Sequence, residues 1–575
     1  MLTAFSVSGF KSVRDEVELT LSPLTVIVGA NSSGKSSLLQ ALLLLSQSVQ
    51  LPSSDAVLDF NGLFQNLGTL QEIQSRPGSR PLRIALGFAV PESRRRILHT
   101  FETGVLPRSA TYAISLSAPD DIVARTTRVD DFELRLRDGA ASEAVLVAHR
   151  RRGGFPPTPH LTNSAGRATM LASQQYRVEV GLRSEGASTS QAYLLSPSAS
   201  LSYGSLAAGV ELAGPLPVAI WRSYDSVTRS VEAFLRDILV FGSHGGLRPK
   251  SNDAGVEKLT LDFWNEAEVR SMLGDRPSSL DDARRRVAAL RPGIRTRARS
   301  LISEYVQRVS EETDPNWAFE RQPLPAVFAS AVDELRERLS SVYYLGPLRA
   351  APRPLFAAAA GASPKSVGRE GEFTAAVLNR YANERVEFSW EGEIVREPLT
   401  AAVGRWMQHL DLHVGAVAHD YGRLGYDLMV QDKIAGGLDL TQVGVGVSQA
   451  LPVIVQCLVA PAASVIVLEQ PELHLHPRVQ SRLADFLIGV AKASRTVVCE
   501  THSEYLVSRL RIRTGRRQLR YGSDFRLYFT SRIDGVTRVE EVPVAGKGRL
   551  GKWPAGFFEQ SAEDANELLE VQLRP

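Results

Sequence analysis

The first 50 residues alternate short apolar runs with polar turns. Residues 4–7 and 17–21 are predicted strands, and residues 24–28 form a continuous apolar run, as expected for a strand that is buried on both faces. A loop rich in glycine and serine follows, and then leucines recur at helical spacing, at positions 38, 39, 42 and 45. This order predicts a strand–loop–helix unit in an α/β fold.

Between residues 81 and 183 the apolar positions alternate with a period of two, which predicts a β-rich region. The alternation is clearest in three segments, which are 112–116, 132–136 and 176–180. Residues 184–205 are rich in serine, glycine and alanine, and this lack of pattern predicts a mobile loop. Helical spacing returns in three segments, which are 226–239, an arginine-rich stretch at 281–306 that Pro292 and Gly293 interrupt, and 329–341.

The second half of the chain returns to a β/α pattern, from residue 342 to about residue 510. The last residues contain a predicted strand pair, at 525–530 and 537–542, followed by a short acidic helix. We therefore expect four segments, which are 1–75, an insert at 76–341 with a β-rich part at 81–183 and a helical part at 226–341, then 342–510, and a C-terminal domain at 511–575.

Composition narrows the class of protein only broadly. Hydrophobic residues make up 43% and charged residues 22% of the 575 positions, which is typical of a globular chain. The net charge of +3 is too small to indicate a nucleic-acid binder by itself. Cys457 and Cys499 both lie in apolar runs and are too few for a disulfide framework or a cysteine-rich zinc site. A reducing, cytoplasmic compartment fits this usage.

One uncharged stretch, residues 450–468, has the length of a membrane span. Pro452 and Pro461 interrupt it, and Glu469 follows directly. A helix, a turn and a buried strand therefore explain it better than a transmembrane helix. The first eleven residues also lack the apolar region of a signal peptide. We expect no contact with a membrane.

The strongest candidate for chemistry is the loop at residues 29–36, which has the pattern Gly-x4-Gly-Lys-Ser. Its glycines let backbone N–H groups curl around a phosphate, Lys35 can reach the β- and γ-phosphates, and the Ser36 hydroxyl can bind Mg²⁺. The predicted strand before the loop and the helix after it are the required context. The sequence thus predicts binding of ATP and Mg²⁺. The candidate loop residues are Gly29, Asn31, Ser32, Ser33, Gly34, Lys35, Ser36 and Ser37.

Two later apolar runs also end in polar side chains. The apolar run at residues 465–468 is followed directly by Glu469, whose carboxylate can hold Mg²⁺ through water. Residues 497–503 include His502, which can reach the γ-phosphate or the attacking water, although a histidine at a strand end is more often structural. Residues 444–449, Gly-Val-Gly-Val-Ser-Gln, precede an apolar helix and form either a second anion-binding loop or a simple helix cap.

These four motifs, in this order, resemble the ABC-type ATPases of the SMC, RecF and OLD group. The resemblance implies that Glu469 is the Walker B acid, that His502 is the switch histidine, and that residues 474–477 form the dimer-contacting D-loop. In that group, a signature loop closes over the ATP of a second protomer in a head-to-tail dimer. The matching positions here are Gly444, Gly446, Ser448 and Gln449.

Further residues narrow the resemblance. Residues 5–12, 469–477 and 553–558 look like a bacterial subfamily of AAA-type ATPases that is related to OLD proteins and carries a C-terminal domain of unknown function. The resemblance covers residues 1–66 and 342–575. It implies an α/β P-loop ATPase head that is split by a large β-rich and helical insert and followed by a small C-terminal α/β extension.

The resemblance also implies partners. We expect a homodimer or a higher homo-oligomer. Relatives of this kind act with a separately encoded effector in bacterial anti-phage systems, or in DNA repair, so an effector protein and DNA are candidate partners. Arginine clusters at four places, 94–96, 150–152, 284–286 and 291–299, either contact phosphates or form a solvated face. No spacing typical of a Toprim, HNH or zinc nuclease is present.

Two positions depart from the pattern of this group. Its Walker B strand usually ends in Asp-Glu, whereas Glu469 and Gln470 stand here. Because an amide cannot take a proton from water, we expect slow hydrolysis or a base supplied by Glu472 or His502. The Q-loop glutamine has no clear match, although Gln65 and Gln71 lie nearby. The alternative to an ATPase that dimerises is a slow or non-hydrolysing, ATP-gated clamp on DNA or protein.

Overall fold

The computed structural model describes residues 1–50, 57–75, 80–94, 107–117, 128–138, 142–150, 169–172, 176–184, 206–241, 254–313, 317–356, 365–412, 414–432, 436–551 and 567. The predicted loop at 184–205 lies outside these residues except for Ser184. The motif at 553–558 and nearly all of the acidic segment after it also lie outside them.

The strands have the following bounds, in chain order: β1 (Leu2–Ser8), β2 (Val17–Thr20), β3 (Leu24–Gly29), β4 (Leu82–Ala89), β5 (Ser109–Ser117), β6 (Arg128–Asp138), β7 (Ser142–Arg150), β8 (Thr169–Ala172), β9 (Tyr176–Ser184), β10 (Leu206–Ala213), β11 (Leu216–Asp225), β12 (Trp317–Pro323), β13 (Val342–Leu345), β14 (Arg385–Trp390), β15 (Glu393–Pro398), β16 (Val414–Asp420), β17 (Tyr426–Asp432), β18 (Gly436–Asp439), β19 (Val465–Glu469), β20 (Thr496–Glu500), β21 (Phe525–Ile533), β22 (Val536–Glu541), β23 (Val544–Ala545) and β24 (Arg549–Leu550).

The α-helices have the following bounds: α1 (Lys35–Gln50), α2 (Leu70–Ile73), α3 (Ser226–Arg236), α4 (Ala254–Asp262), α5 (Ala267–Leu273), α6 (Leu280–Ala288), α7 (Pro292–Ser300), α8 (Ile302–Glu312), α9 (Ala326–Ser340), α10 (Thr374–Arg380), α11 (Leu399–His409), α12 (Val445–Val459), α13 (Pro477–Lys492) and α14 (Glu504–Gly515). Pro292 begins α7, where its missing N–H costs nothing, so the predicted interruption is a boundary between two helices.

The central sheet has the strand order β13-β19-β20-β3-β21-β22. The first five of these strands are parallel, and β22 runs antiparallel to β21. Parallel strands place their carboxyl ends at one edge, where α/β proteins bind ligands. The loops after β3, β19 and β20 therefore meet at this edge. The α/β class is confirmed.

Both faces of the central sheet are buried, as the continuous apolar run of β3 predicts. Val26 and Val28 pack into a core with α12 and α13, whereas Ile27 points to the opposite core, which contains α1 and α9. This alternation follows from the period of two along a strand. The sheet thus holds the loop after β3 between two apolar layers.

A second, antiparallel sheet has the order β2-β1-β4-β5-β6-β7-β9. Its strands β5, β6 and β9 contain the three segments, 112–116, 132–136 and 176–180, in which the alternation is clearest. Because β1 pairs with β4, this sheet spans the predicted segment boundary at residue 75. Strand β21 likewise pairs with β3 across the predicted boundary at residue 510. The four predicted segments therefore share sheets, and their limits stay predictions.

The remaining described insert strands form a sheet with the order β12-β11-β10-β8. Helices α3 to α8 share a third apolar core around Phe263 and Trp264. Among the described residues, no helix combines the length and the hydrophobicity needed to span a bilayer.

Candidate functional site

The loop between β3 and α1 has the shape of a phosphate-binding loop. Gly29 and Gly34 have φ angles of 151° and 101°, and Ser32 has a φ of 60°. A Cβ at Gly34 would collide with Oγ1 of Thr537, and one at Gly29 would collide with the backbone of Thr530. Both glycines are therefore required by backbone conformation and by close packing. The loop then leads into the N-terminus of α1, which favours an anion.

Lys35 is folded back onto this loop. Its Nζ donates hydrogen bonds to the carbonyl oxygens of Gly29 and Ala30, at 3.1 and 2.8 Å, and the side chain is 3% exposed. Burial lowers the pKa of Lys35, while Glu500 and Glu472 act in the opposite direction. A phosphate group that entered the loop would replace the two carbonyl partners of the ammonium group.

Ser36 and Glu500 form the polar contact beneath the loop. The Ser36 hydroxyl lies 3.1 Å from Oε1 and 2.9 Å from Oε2 of Glu500, and the Lys35 ammonium lies 4.0 Å from Oε1. Burial raises the pKa of Glu500, although Ser36 and Lys35 oppose the rise. Glu500 was not among the site residues predicted from the sequence. The available signal was its position at the end of a buried apolar strand, as for Glu469.

These residues line a cleft of about 610 Å³ at the carboxyl edge of the central sheet. Of the predicted residues, the cleft brings together Asn31, Ser32, Ser33, Gly34, Lys35, Ser36 and Ser37 of the loop with Gln470 and His502. Four residues that were not predicted as site residues, Lys11, Ser12, Glu500 and Arg532, line it as well. Glu469, Glu472 and residues 444–449 are not among its lining residues.

Glu469 is held by the neighbouring strand of the sheet. Tyr344 of β13 donates a hydrogen bond of 3.0 Å to its carboxylate, and Glu469 is 5% exposed. Burial, reinforced by the negative charge of Glu500, raises the pKa of Glu469 to about 7. Tyr344 is a second residue of the site that no sequence pattern indicated. Its hydroxyl fixes the orientation of the predicted Walker B acid.

Gln470 and Glu472 take different positions after β19. Gln470 has a φ of 45°, and its backbone N–H donates to the carbonyl oxygen of Glu500 at 2.9 Å. Glu472 is 6% exposed and accepts a hydrogen bond of 2.7 Å from the backbone N–H of His502. Burial raises the pKa of Glu472. Gln470 therefore faces the cleft, whereas Glu472 supports the loop that carries His502.

His502 lies two residues beyond the end of β20 and lines the cleft. Burial and the positive charge of Lys35 lower its pKa. Both effects favour the neutral imidazole, in which one ring nitrogen donates a hydrogen bond and the other accepts one. The tautomer decides which nitrogen has which role.

Residues 444–449 form the start of α12 rather than a loop before it. Gly444 is the N-cap residue, and Val445, the first helical residue, is 55% exposed. The Ser448 hydroxyl is turned back to the carbonyl oxygen of Val445 at 2.8 Å. Gly446 lies beside His474 of the predicted D-loop. These residues are thus next to the D-loop and outside the cleft of their own chain.

Neither glutamine considered for the Q-loop lines the cleft. Gln65 is buried and donates to the carbonyl oxygen of Gln40 at 2.6 Å, while Gln71 is exposed on the short helix α2. Gln65 has the contacts of a structural residue.

The C-terminal hairpin of β21 and β22 packs directly against the phosphate loop. The hydroxyls of Thr530 and Ser33 lie 2.6 Å apart, and Thr537 donates to the carbonyl oxygen of Ser33 at 2.9 Å. Thr537 is 1% exposed. The loop is therefore held by residues about 500 positions away in the chain.

The described arginines of the basic clusters are largely engaged with carboxylates. Their ion pairs include Arg94–Glu334, Arg284–Asp237, Arg286–Asp282 and Arg297–Glu268. Such pairing favours the interpretation of a solvated face over that of a phosphate-binding track.

The cleft has the donor groups that a Mg–nucleotide needs. Within the described residues, no group of three or more His, Cys, Asp or Glu side chains forms a metal site. Mg²⁺ bound with a nucleotide does not require one, because phosphates and waters fill most of its positions and one or two protein oxygens suffice. The Ser36 hydroxyl and a neighbouring carboxylate are such oxygens, so the residues fit.

Three family models match separate parts of the chain. AAA_15, an AAA ATPase domain, matches residues 1–144, AAA_21, an AAA domain, matches residues 382–508, and DUF3696, a protein of unknown function, matches residues 522–568. The second match contains β19 and β20, and the third contains the hairpin that packs on the phosphate loop. No curated protein matches the chain in sequence.

Solved structures that are similar to the chain include SMC head domains. One from Pyrococcus furiosus, bound to the C-terminal domain of ScpA, has 12% identity and a TM-score of 0.33, with 99% of each chain covered. One from Thermotoga maritima has 10% identity and a TM-score of 0.33, with 94% of this chain and 99% of that chain covered. Because both TM-scores are 0.33, the description of the fold rests on the strand order of the central sheet.

The family matches confirm the resemblance to AAA-type ATPases with a C-terminal domain of unknown function. The phosphate loop, its lysine and the carboxylates at the same sheet edge agree with this assignment. The chain is thus similar to AAA-family ATPase domains in its N-terminal and central parts and to DUF3696 near its C-terminus.

Proposed function

We propose that this chain binds ATP with Mg²⁺ in the cleft and hydrolyses it slowly, as a homodimer that couples the nucleotide state to a partner. The observation that carries the proposal is the cleft itself. It joins a complete phosphate loop, with Lys35 and Ser36, to Gln470 at the position where the resembling ATPases have a glutamate.

The residues of the loop would bind the phosphates. Backbone N–H groups between Gly29 and Lys35 would face the β-phosphate, and the Lys35 ammonium would exchange its carbonyl partners for phosphate oxygens. Ser36 and a carboxylate would hold Mg²⁺, which neutralises charge on the phosphates when it is bound. Positioning and electrostatics of this kind supply most of the catalysis of phosphoryl transfer.

Gln470 sets the expected rate. Its amide oxygen can orient a water molecule, but it cannot accept the proton of that water. Glu472 is buried behind the cleft and already holds the backbone of His502, so it is poorly placed as a substitute. His502 faces the cleft and, in its neutral form, offers a nitrogen that can accept a proton. We therefore expect slow turnover that depends on His502.

The position of α12 supports the dimer. Gly446 lies beside His474 of the predicted D-loop, Val445 is exposed, and none of residues 444–449 lines the cleft of its own chain. A helix N-terminus attracts phosphate, so these residues would serve the nucleotide of a second copy. The insert would then move with the dimer and contact an effector or DNA. Through such a contact with an effector or DNA, the chain would act in anti-phage defence or in DNA repair.

Steady-state release of phosphate tests the rate. General-base catalysis is worth about 10²–10⁴-fold, so Gln470→Glu should accelerate hydrolysis within that range. Lys35→Ala should abolish it, and His502→Ala should remove most of the slow wild-type rate. Fast wild-type turnover that Gln470→Glu leaves unchanged would reject the slow-ATPase proposal. It would leave an ordinary ATPase that uses another base, and Glu472→Gln would identify Glu472 if that variant were inactive.

Gln470 also favours a second candidate, a clamp that binds ATP and closes without hydrolysing it. In that case ATP should drive dimerisation of the wild type while no phosphate is released. Gln470→Glu would then turn a stable ATP-bound dimer into a transient one, which size-exclusion chromatography with ATP would detect.

A further inference from the structure

We infer that Glu500, rather than the predicted Walker B acid Glu469, is the carboxylate that joins Ser36 in holding the Mg²⁺ of the bound nucleotide. The inference rests on the proposed ATP binding and deepens it by naming the protein ligand set. It departs from the assignment that the resemblance implies.

The strand order is the first support. Glu500 ends β20, which pairs directly with β3, and it lies in register with Ile27, two residues before the phosphate loop. Glu469 ends β19, one strand further away, in register with Glu500. Neighbouring strands are about 4.8 Å apart. The backbone of Glu469 is therefore about 10 Å from that of β3, and the backbone of Glu500 is about half as far from it.

The hydrogen bonds are the second support. Ser36 is the loop hydroxyl that would bind Mg²⁺, and both carboxylate oxygens of Glu500 lie within hydrogen-bond distance of it. Because these oxygens lie about 3 Å apart, a cation that takes the place of the hydrogen bond can contact both the hydroxyl and the carboxylate. The carboxylate of Glu469 instead accepts the hydroxyl of Tyr344, on the side away from the loop.

Access to the cleft is the third support. Glu500 lines the cleft together with Ser36, whereas Glu469 does not. Lys35 lies 4.0 Å from Glu500, so the carboxylate is also next to the cation that would hold the β- and γ-phosphates. Glu500 therefore lies in the wall of the cleft beside Lys35 and Ser36, whereas Glu469 is bound to Tyr344 outside the cleft lining.

Binding of Mn²⁺, as a paramagnetic substitute for Mg²⁺, tests this assignment without measuring activity. The loss of the free Mn²⁺ signal in electron paramagnetic resonance gives the Kd of Mn²⁺ for the protein saturated with ADP. We expect Glu500→Gln to raise this Kd by at least about 10-fold, the range known for perturbed metal shells. The isosteric variant Glu469→Gln should leave the Kd close to that of the wild type.

Binding of ADP in EDTA provides the control for folding and for the proposed function. Glu500→Gln should bind metal-free ADP as well as the wild type or more tightly, because it removes a negative charge near the phosphates. If the wild type binds no nucleotide with or without metal, the proposed function fails. If nucleotide binds but Glu469→Gln raises the Kd of Mn²⁺ and Glu500→Gln does not, or if both variants raise it equally or not at all, the assignment of Glu500 is wrong.

Discussion

Replacement of Lys35 by alanine is the most direct test of the nucleotide site. In the ligand-free protein the Lys35 ammonium is buried, bonds the carbonyl oxygens of Gly29 and Ala30, and lies 4.0 Å from Glu500. Lys35→Ala removes the cation that would face the β- and γ-phosphates. It also takes away the ammonium group that lies next to Glu500.

The geometry sets the size of the expected effect. Two unit charges at about 4 Å interact by about 4 kcal/mol at an effective dielectric constant of about 20. Since about 1.4 kcal/mol corresponds to a tenfold change in affinity, the loss of Lys35 should weaken ATP binding by up to about 10³-fold. The backbone of the loop should persist, because Thr530 and Thr537 hold it independently of the lysine.

Isothermal titration calorimetry with ATP and Mg²⁺ measures this affinity. Lys492→Ala is a matched control, because Lys492 is exposed and bonds the carbonyl oxygen of Gln518 at 3.0 Å, away from the cleft. It removes the same charge and should leave the Kd unchanged. A folded Lys35→Ala protein that binds ATP like the wild type would refute the assignment of the loop as the nucleotide site.

Two further predictions concern assembly and pH. Val445→Arg places a charged side chain at the exposed start of α12. We expect this variant to bind ATP but to lose ATP-dependent self-association in light scattering, whereas Ile394→Arg, at another exposed apolar position, should still self-associate. Loss of self-association in both variants would argue against a specific contact of α12. The pKa of Glu469 is raised from 4.5 to about 7 by burial and by Glu500, so the folded state binds this proton more tightly than the unfolded state does. The free energy of unfolding in EDTA should therefore fall as pH rises from about 4.5 to about 7, and Glu469→Gln should lessen this fall. Denaturant titrations at several pH values measure it. If the free energies of unfolding of the two proteins fell equally with pH, the raised pKa of Glu469 would be contradicted.

The sequence alone determined the local units of the site. The apolar run of β3, the Gly-x4-Gly-Lys-Ser loop and the leucines of α1 are neighbours in the chain, so their spacing is enough to predict strand, loop and helix. The alternation in β5 and β6 predicted strands for the same reason. The acid at the end of β19 and the histidine after β20 were also recognisable, because each follows a buried apolar run.

Only the tertiary structure decided which of these groups meet. Ser36 and Glu500 are separated by 464 positions, and Ser33 and Thr537 by 504, so no local pattern connects them. The spacing of hydrophobic residues indicates that a strand is buried, but it does not indicate which other strand pairs with it. The pairing of β3 with β20 and β21 is fixed by packing of the whole sheet between its two cores. That pairing places Glu500 at the loop and leaves Glu469 with Tyr344.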